Sequence, residues 1–145
     1  MRLFLDANIL VSVLNKEYPL FTYTSRIISL ADRSRFNLYT SPVCLAIAFY
    51  FAEKKYRNVS AKKKIGILCE HINIAGVTKN AVLQSLKNPA VNDFEDGIEY
   101  YSAIENKCEC IITEDTNDFY FSAIEVITSE NFFEKYLLKS HKSGV

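Results

Sequence analysis

Acidic residues in this chain stand where apolar runs stop. Asp6 directly follows Leu3-Phe4-Leu5, and Thr113-Glu114-Asp115 directly follows Ile111-Ile112. Asp93 and Asp96 are three apart, a spacing that puts both on one face of a helix. Asp118 follows Asp115 at the same interval. Short apolar runs of this kind read as strands buried on both faces of a parallel sheet. In such sheets ligands bind beyond the carboxyl ends of the strands, where the strand order reverses. If the strands ending at Asp6 and Thr113 are neighbours, the acids converge at one edge. Converging carboxylates repel, and they stay ionised together only with a cation between them. Hard oxygen ligands suit Mg2+ or Mn2+, which keep several waters and also take phosphate oxygens. Such an ion activates water and clamps a scissile phosphodiester.

Each acid also has a plainer reading. Asp6 can cap the helix that follows it, and Asp93 serves equally well as an N-cap or a ligand. Asp96 stands where a capping-box acid would. Asp115 and Asp118 suit turns whose side chains bond the backbone. Glu95 and Glu99 read as a solvated helix face. The signal lies in the set rather than in any member.

The elements that must hold these residues alternate. Strands are expected at Arg2 to Leu5, Phe36 to Tyr39, Ile72 to Ala75, Cys110 to Thr113 and Glu125 to Ile127. Helices are expected at Asn8 to Leu14 and Leu20 to Arg33, separated by Tyr18-Pro19, and from Val43 to about Tyr56. Ser41-Pro42 opens the last of these with a capping hydroxyl and a first-turn proline. It is apolar on nearly all sides until its charged end and should lie centrally. Ser60 is expected to open the helix Ala61 to Glu70, Thr78 one ending at Lys87, Asp93 the helix Phe94 to Asn106, and Ser129 the helix Glu130 to Leu138. Alternating strands and helices predict βαβ units and a parallel sheet covered on both faces.

Length and composition agree with one domain over residues 1–140, with 141–145 a frayed tail. At 49% hydrophobic residues, with four Gly and three Pro, the chain is neither disordered nor a repeat array. The longest apolar run, Val43 to Ala52, is about half the roughly 20 residues that span a bilayer. No leader is evident at the start, so an intracellular protein with no membrane attachment is expected, with Cys44, Cys69, Cys108 and Cys110 as inert reduced thiols. Seventeen Lys and Arg balance seventeen Asp and Glu, which argues against a nucleic-acid binder held by its global field. Charge is nonetheless segregated: Lys54, Lys55, Arg57, Lys62, Lys63 and Lys64 fall within eleven residues around Tyr56. The default for such a run is a solvated helix-end cluster, and the functional alternative is a phosphate-binding patch with a stacking aromatic. A phospho-acceptor receiver domain is disfavoured, because Asp6 stands alone and the third strand runs into Gly76-Val77.

Three segments together resemble PIN domains. Leu3-Phe4-Leu5-Asp6-Ala7-Asn8-Ile9-Leu10 is similar to their opening, and Asn92 to Ala103 to their D-F-E-D-A-x-x-x-x-A helix. Cys110 to Phe119 is similar to their I-V/I-T-R/K-N/D-x-x-D-F segment, and Thr40-Ser41-Pro42-Val43 to the stretch before their central helix. The resemblance implies a three-layer α/β/α fold around a parallel five-stranded sheet. It implies an endoribonuclease using metal-activated water from Mg2+ or Mn2+, most like VapC-type toxins of type II toxin–antitoxin pairs. By position, Asp6, Asp96 and Asp115 fall on the metal acids, Asp93 and Asp118 on accessory acids, and Asn8 and Thr113 on accessory polar groups. An RNA substrate, a cognate antitoxin over the acidic site, a homodimer and a cytoplasmic location are implied in the same way. One position departs from the family. Its usual second acid follows S-P-x-x-x-A in the central helix, where this chain has Ile47. Glu53, six residues on, lies about 240° around the helix and does not substitute. Asp93 or Asp118 then completes the shell, or metal binds weakly or only together with RNA, or the domain is a non-catalytic RNA- or protein-binding module.

Overall fold

A computed structural model describes residues 1–138. The strands are β1 (Arg2–Leu5), β2 (Asn37–Thr40), β3 (Asn73–Ile74), β4 (Cys110–Ile112) and β5 (Glu125–Ile127). They form one parallel sheet in the order β3-β2-β1-β4-β5. The helices are α1 (Ala7–Asn15), α2 (Phe21–Ile28), α3 (Pro42–Tyr56), α4 (Asn58–His71), α5 (Lys79–Lys87), α6 (Phe94–Glu105) and α7 (Ser129–Phe132), the last continuing as a π-helical turn over Phe133–Leu138. The expected α/β class and five-stranded parallel sheet are present. The tail at 141–145, and positions 139–140 of the expected domain, lie outside the described residues.

The chain crosses the sheet in one direction from β1 to β3, then doubles back to β4 and β5. Right-handed crossovers therefore put α1 to α4 against one face and α5 and α6 against the other. The reversal falls between β1 and β4, which pair with Leu5 opposite Ile112. Asp6 and Thr113 thus leave the sheet side by side. The central strands are apolar because both of their faces are covered: Leu3, Phe4, Leu5, Ile111 and Ile112 are fully buried.

Several boundaries follow the expected chemistry. Ser41 accepts from the Cys44 N–H, Thr78 from the Ala81 N–H, and Asp93 from the Glu95 and Asp96 N–H groups. Others differ. Helix α4 begins at Asn58 rather than after Ser60. The residue before it, Arg57, turns the chain at φ 69° and caps nothing with its side chain. The last helix is capped by Thr128, one residue before Ser129, through the Asn131 N–H. Helix α2 tightens into a 3-10 turn over Ser29–Asp32. Helix α3 is not buried on all sides. Cys44, Ala48 and Ala52 face inward, while Tyr50 and Phe51 are exposed because α3 packs on only one flank, against α1 and α4.

Candidate functional site

The carboxyl ends of β1 and β4 meet in a polar hub centred on Thr113. This hydroxyl is fully buried and uses all its capacity. It donates to Asp6 Oδ2 at 2.7 Å and accepts from Asn8 Nδ2 and the Asp115 N–H, each at 3.1 Å. Asn8 spans the same gap. Its amide donates to Asp115 Oδ2 at 3.2 Å, and its Oδ1 accepts from the Glu114 N–H at 3.2 Å. Asp6 is 8% exposed, and its Oδ1 accepts from the Ala7 N–H at 2.7 Å at the start of α1. It therefore caps α1 and stands at the switch point. The bond from the Asp6 N–H to the Ile112 carbonyl fixes the pairing to the last residue.

Helix α6 brings the other acids to this edge. Asp93 caps it, and Asp96 is half-buried one turn in. Asp115 precedes a 3-10 turn over Thr116–Phe119, which carries Asp118 and plants Phe119 in the core. Asp6, Asn8, Asp93, Asp96, Asp115 and Asp118 all line one open cleft of about 480 Å³. The same cleft is also lined by the apolar side chains of Val11, Leu20, Ile47 and Phe51, with Glu17 among them. Burial and neighbouring charge raise the pKa of two of these acids, Asp96 and Asp118. Burial, then Asp93, Asp118 and Asp6, push Asp96 up to about 7. Burial and the charges of Asp115, Asp6 and Asp93 raise Asp118. The donor set is oxygen-rich and resists full ionisation, which fits a hard divalent cation.

Two residues read as unremarkable in the sequence lie buried beside Asp6, behind the cleft lining. Glu99, expected on a solvated face, is fully buried. It lies one turn beyond Asp96, so it shares the face of α6 that meets the sheet edge, and the i, i+3 spacing that pairs Asp93 with Asp96 also points to it. Glu95, by contrast, is exposed as expected. Cys44, expected to be an inert core thiol, donates its S–H to Glu99 Oε1 at 3.0 Å. Burial raises both the Glu99 acid and the Cys44 thiol well above their ordinary values, with Asp6 adding to each. The sulfur is thus held as a thiol, a hydrogen-bond donor rather than a soft-metal ligand. Glu114 is structural: its Oε1 accepts from the Ser129 N–H at 3.1 Å and from the Ser129 hydroxyl, tying the end of β4 to α7.

The basic run lies where α3 passes into α4. Lys54 sits over the Tyr50 ring at 4.2 Å, Lys64 over Tyr56 at 4.3 Å, and Lys55 donates to the Asn15 carbonyl. Arg57, Lys62 and Lys63 are exposed.

The PIN domain family matches residues 2–117, from β1 through Asp115. This chain belongs to the PIN domain family. Ribonuclease VapC1 of Aquifex aeolicus is 25% identical over 142 residues, covering 93% of this chain and 95% of that protein. Among solved structures, VapBC2 from Rickettsia felis, bound to a DNA fragment from its promoter, aligns with a TM-score of 0.68 at 17% identity, covering 88% of this chain and 98% of that one. VapBC-1 from nontypeable Haemophilus influenzae aligns at 0.67 and 18% identity, covering 90% and 99%. Mycobacterium tuberculosis VapC20, a toxin that cleaves the sarcin-ricin loop, aligns at 0.60 and 12% identity, covering 75% and 86%. At these identities the solved structures speak for the fold alone. Among the described residues, no helix is long and apolar enough to cross a membrane.

Proposed function

We propose that this protein is a metal-dependent endoribonuclease of the VapC kind. The observation that carries the reading is the convergence of five aspartates in one cleft at the β1/β4 switch point, where burial and then the neighbouring acids push Asp96 up to about 7. Asp6, Asp96 and Asp115 would hold Mg2+ or Mn2+, with Asp93 and Asp118 beside them. The bound cation would activate water for attack on an RNA phosphodiester and offset charge developing on the phosphate. Thr113 and Asn8 fix the carboxylates of Asp6 and Asp115, so little reorganisation is needed when charge builds up. The apolar wall of the cleft would take bases or an antitoxin side chain, and Lys54, Lys55, Arg57, Lys62 and Lys63 would meet phosphates farther along the strand. A cognate antitoxin covering the cleft, a homodimer and a cytoplasmic setting complete this reading. The VapBC neighbours and the VapC1 relative support it.

Purified protein incubated with RNA and Mn2+ should cleave it, and Asp6→Asn should not. The asparagine Oδ1 still caps α1 but its amide loses the Thr113 hydroxyl as a donor, so circular dichroism must show the variant folded before its activity is read. Absence of cleavage on any RNA, together with a D6N variant no less toxic in cells than the parent, refutes the proposal. Ile47 in the cleft wall favours the second reading, a non-catalytic binding module. Failure of the native protein to bind Mn2+ in titration calorimetry would support that module instead.

A further inference from the structure

Glu99 is a carboxylate with an unfinished environment. It is fully buried, its Oε1 takes the Cys44 S–H, no donor reaches its Oε2, and the Asp6 carboxyl lies against it. Among the described residues no Lys, Arg or His forms an ion pair with it. A buried carboxylate in this state is costly unless something neutralises it. The groups facing it are Asp6 from the end of β1, Cys44 from α3 and Asp96 from its own helix. One oxygen each of Asp6 and Glu99 and the Cys44 sulfur lie within 4.8 Å of one another. No other trio of His, Cys, Asp or Glu among the described residues is as tight. Cys44 lies one turn before Ile47 on α3, so Glu99 reaches the flank of α3 from which position 47 enters the cleft.

We propose that Glu99 supplies, from α6, the carboxylate that α3 does not supply at position 47, and that it completes the divalent-cation site together with Asp6, oriented by Cys44. This rests on the reading of the cleft as a cation site. The metal-facing role falls to Oε2, the oxygen left unpartnered, while the thiol holds Oε1 and fixes the plane of the carboxylate. Outer partners that orient a ligand in this way are worth about tenfold to a hundredfold in metal affinity.

The test is Mn2+ affinity, measured by calorimetry and by the melting-temperature rise that Mn2+ gives over EDTA. Glu99→Gln keeps the shape of the side chain and should weaken Mn2+ binding by at least about tenfold, while melting in EDTA no lower than the parent, because a buried acid has been removed. Cys44→Ala should weaken binding less, and Cys44→Ser, which keeps a donor, should restore most of it. Adding Ile47→Glu to E99Q should recover affinity, by returning the acid to α3. Should E99Q lose its fold, Glu99→Asp provides the same comparison with the charge drawn back from Asp6. If the parent binds Mn2+, D6N does not, and E99Q binds as tightly as the parent, Glu99 is a buried neutral acid and this inference fails alone. If the parent binds no Mn2+, the cation reading fails and takes this inference with it.

Discussion

Thr113→Val separates a hub that organises the site from a threonine that merely fills space. Valine matches the volume and the strand preference of threonine and removes only the hydroxyl. Three bonds go with it. Asp6 Oδ2 loses its 2.7 Å donor, the Asp115 N–H loses its acceptor, and Asn8 loses one of the groups that pin its amide. A hydrogen bond to a charged group contributes about 1.5–3 kcal/mol, and an orphaned polar group costs about 1–3 kcal/mol. The Asp115 N–H is partly buried and the cleft is open to water, so the lower ends apply there. The new methyl group recovers about 0.8 kcal/mol. The net loss is about 2–3 kcal/mol, which for a chain of this size lowers the melting temperature by about 5–10 °C. Circular dichroism melts in EDTA measure this without metal. The same variant should bind Mn2+ at least about tenfold more weakly, since two of the acids it frees, Asp6 and Asp115, are proposed ligands. Thr113→Ser keeps the hydroxyl and should retain metal affinity at a stability cost of about 1 kcal/mol for the lost methyl. A T113V protein that melts within about 1 °C of the parent and binds Mn2+ equally well would show that Asp6 and Asp115 are held by other means, and the hub argument would be wrong.

Gly97→Ala should destabilise. The added Cβ would stand 2.7 Å from Val91 Cγ1 and 2.9 Å from Ser85 Cβ, and overpacking of about 1–3 kcal/mol outweighs the roughly 1 kcal/mol gained in helix propensity. A rise in urea midpoint would contradict the packing of α6 on α5. In EDTA the protein should lose stability as pH rises from 3.8 to about 7, because the folded chain keeps a proton on Asp96 that the unfolded chain releases. Urea midpoints across that window should fall less in Asp96→Asn than in the parent; an equal fall would remove Asp96 as a source of the slope. Replacing Lys62 and Lys63 together with alanine should raise KM for RNA with kcat nearly unchanged and reduce the salt slope of RNA binding by about 2. An unaltered KM places the RNA path elsewhere.

The reach of the sequence into this fold ended where burial of charge began. The segments Leu3-Phe4-Leu5 and Ile111-Ile112 are legible because a strand covered on both faces must be apolar throughout, so an acid at its end is conspicuous. Caps at Ser41, Thr78 and Asp93 are legible because a hydroxyl or carboxylate before an apolar period has one obvious task. The start of α4 left no such mark: the backbone of Arg57 makes the turn, and no side chain signals it. Glu99 was hidden for a different reason. A glutamate in a helix is ordinarily a solvated residue, and what places this one inside is a pairing between strands more than a hundred residues apart, which brings Asp6 beneath α6.

That pairing also lets α6 present a carboxylate near the position where α3 carries Ile47. The two helices belong to opposite layers of the sheet, yet both point their amino-terminal halves at the β1/β4 switch point, where the Cys44–Glu99 bond joins them. A ligand position at the centre of such a fold is therefore a place in space reachable from either layer. Moving the acid to α6 leaves position 47 apolar, and Ile47 then continues the wall formed by Val11, Leu20 and Phe51. The proposed site would then offer apolar side chains as well as acids, which suits a base packed on the apolar groups while its phosphate meets the cation. The I47E/E99Q exchange should accordingly restore Mn2+ affinity but raise KM for RNA, because it returns the acid at the expense of the wall. Recovery of metal affinity with an unchanged KM would show that the apolar wall takes no part in holding RNA.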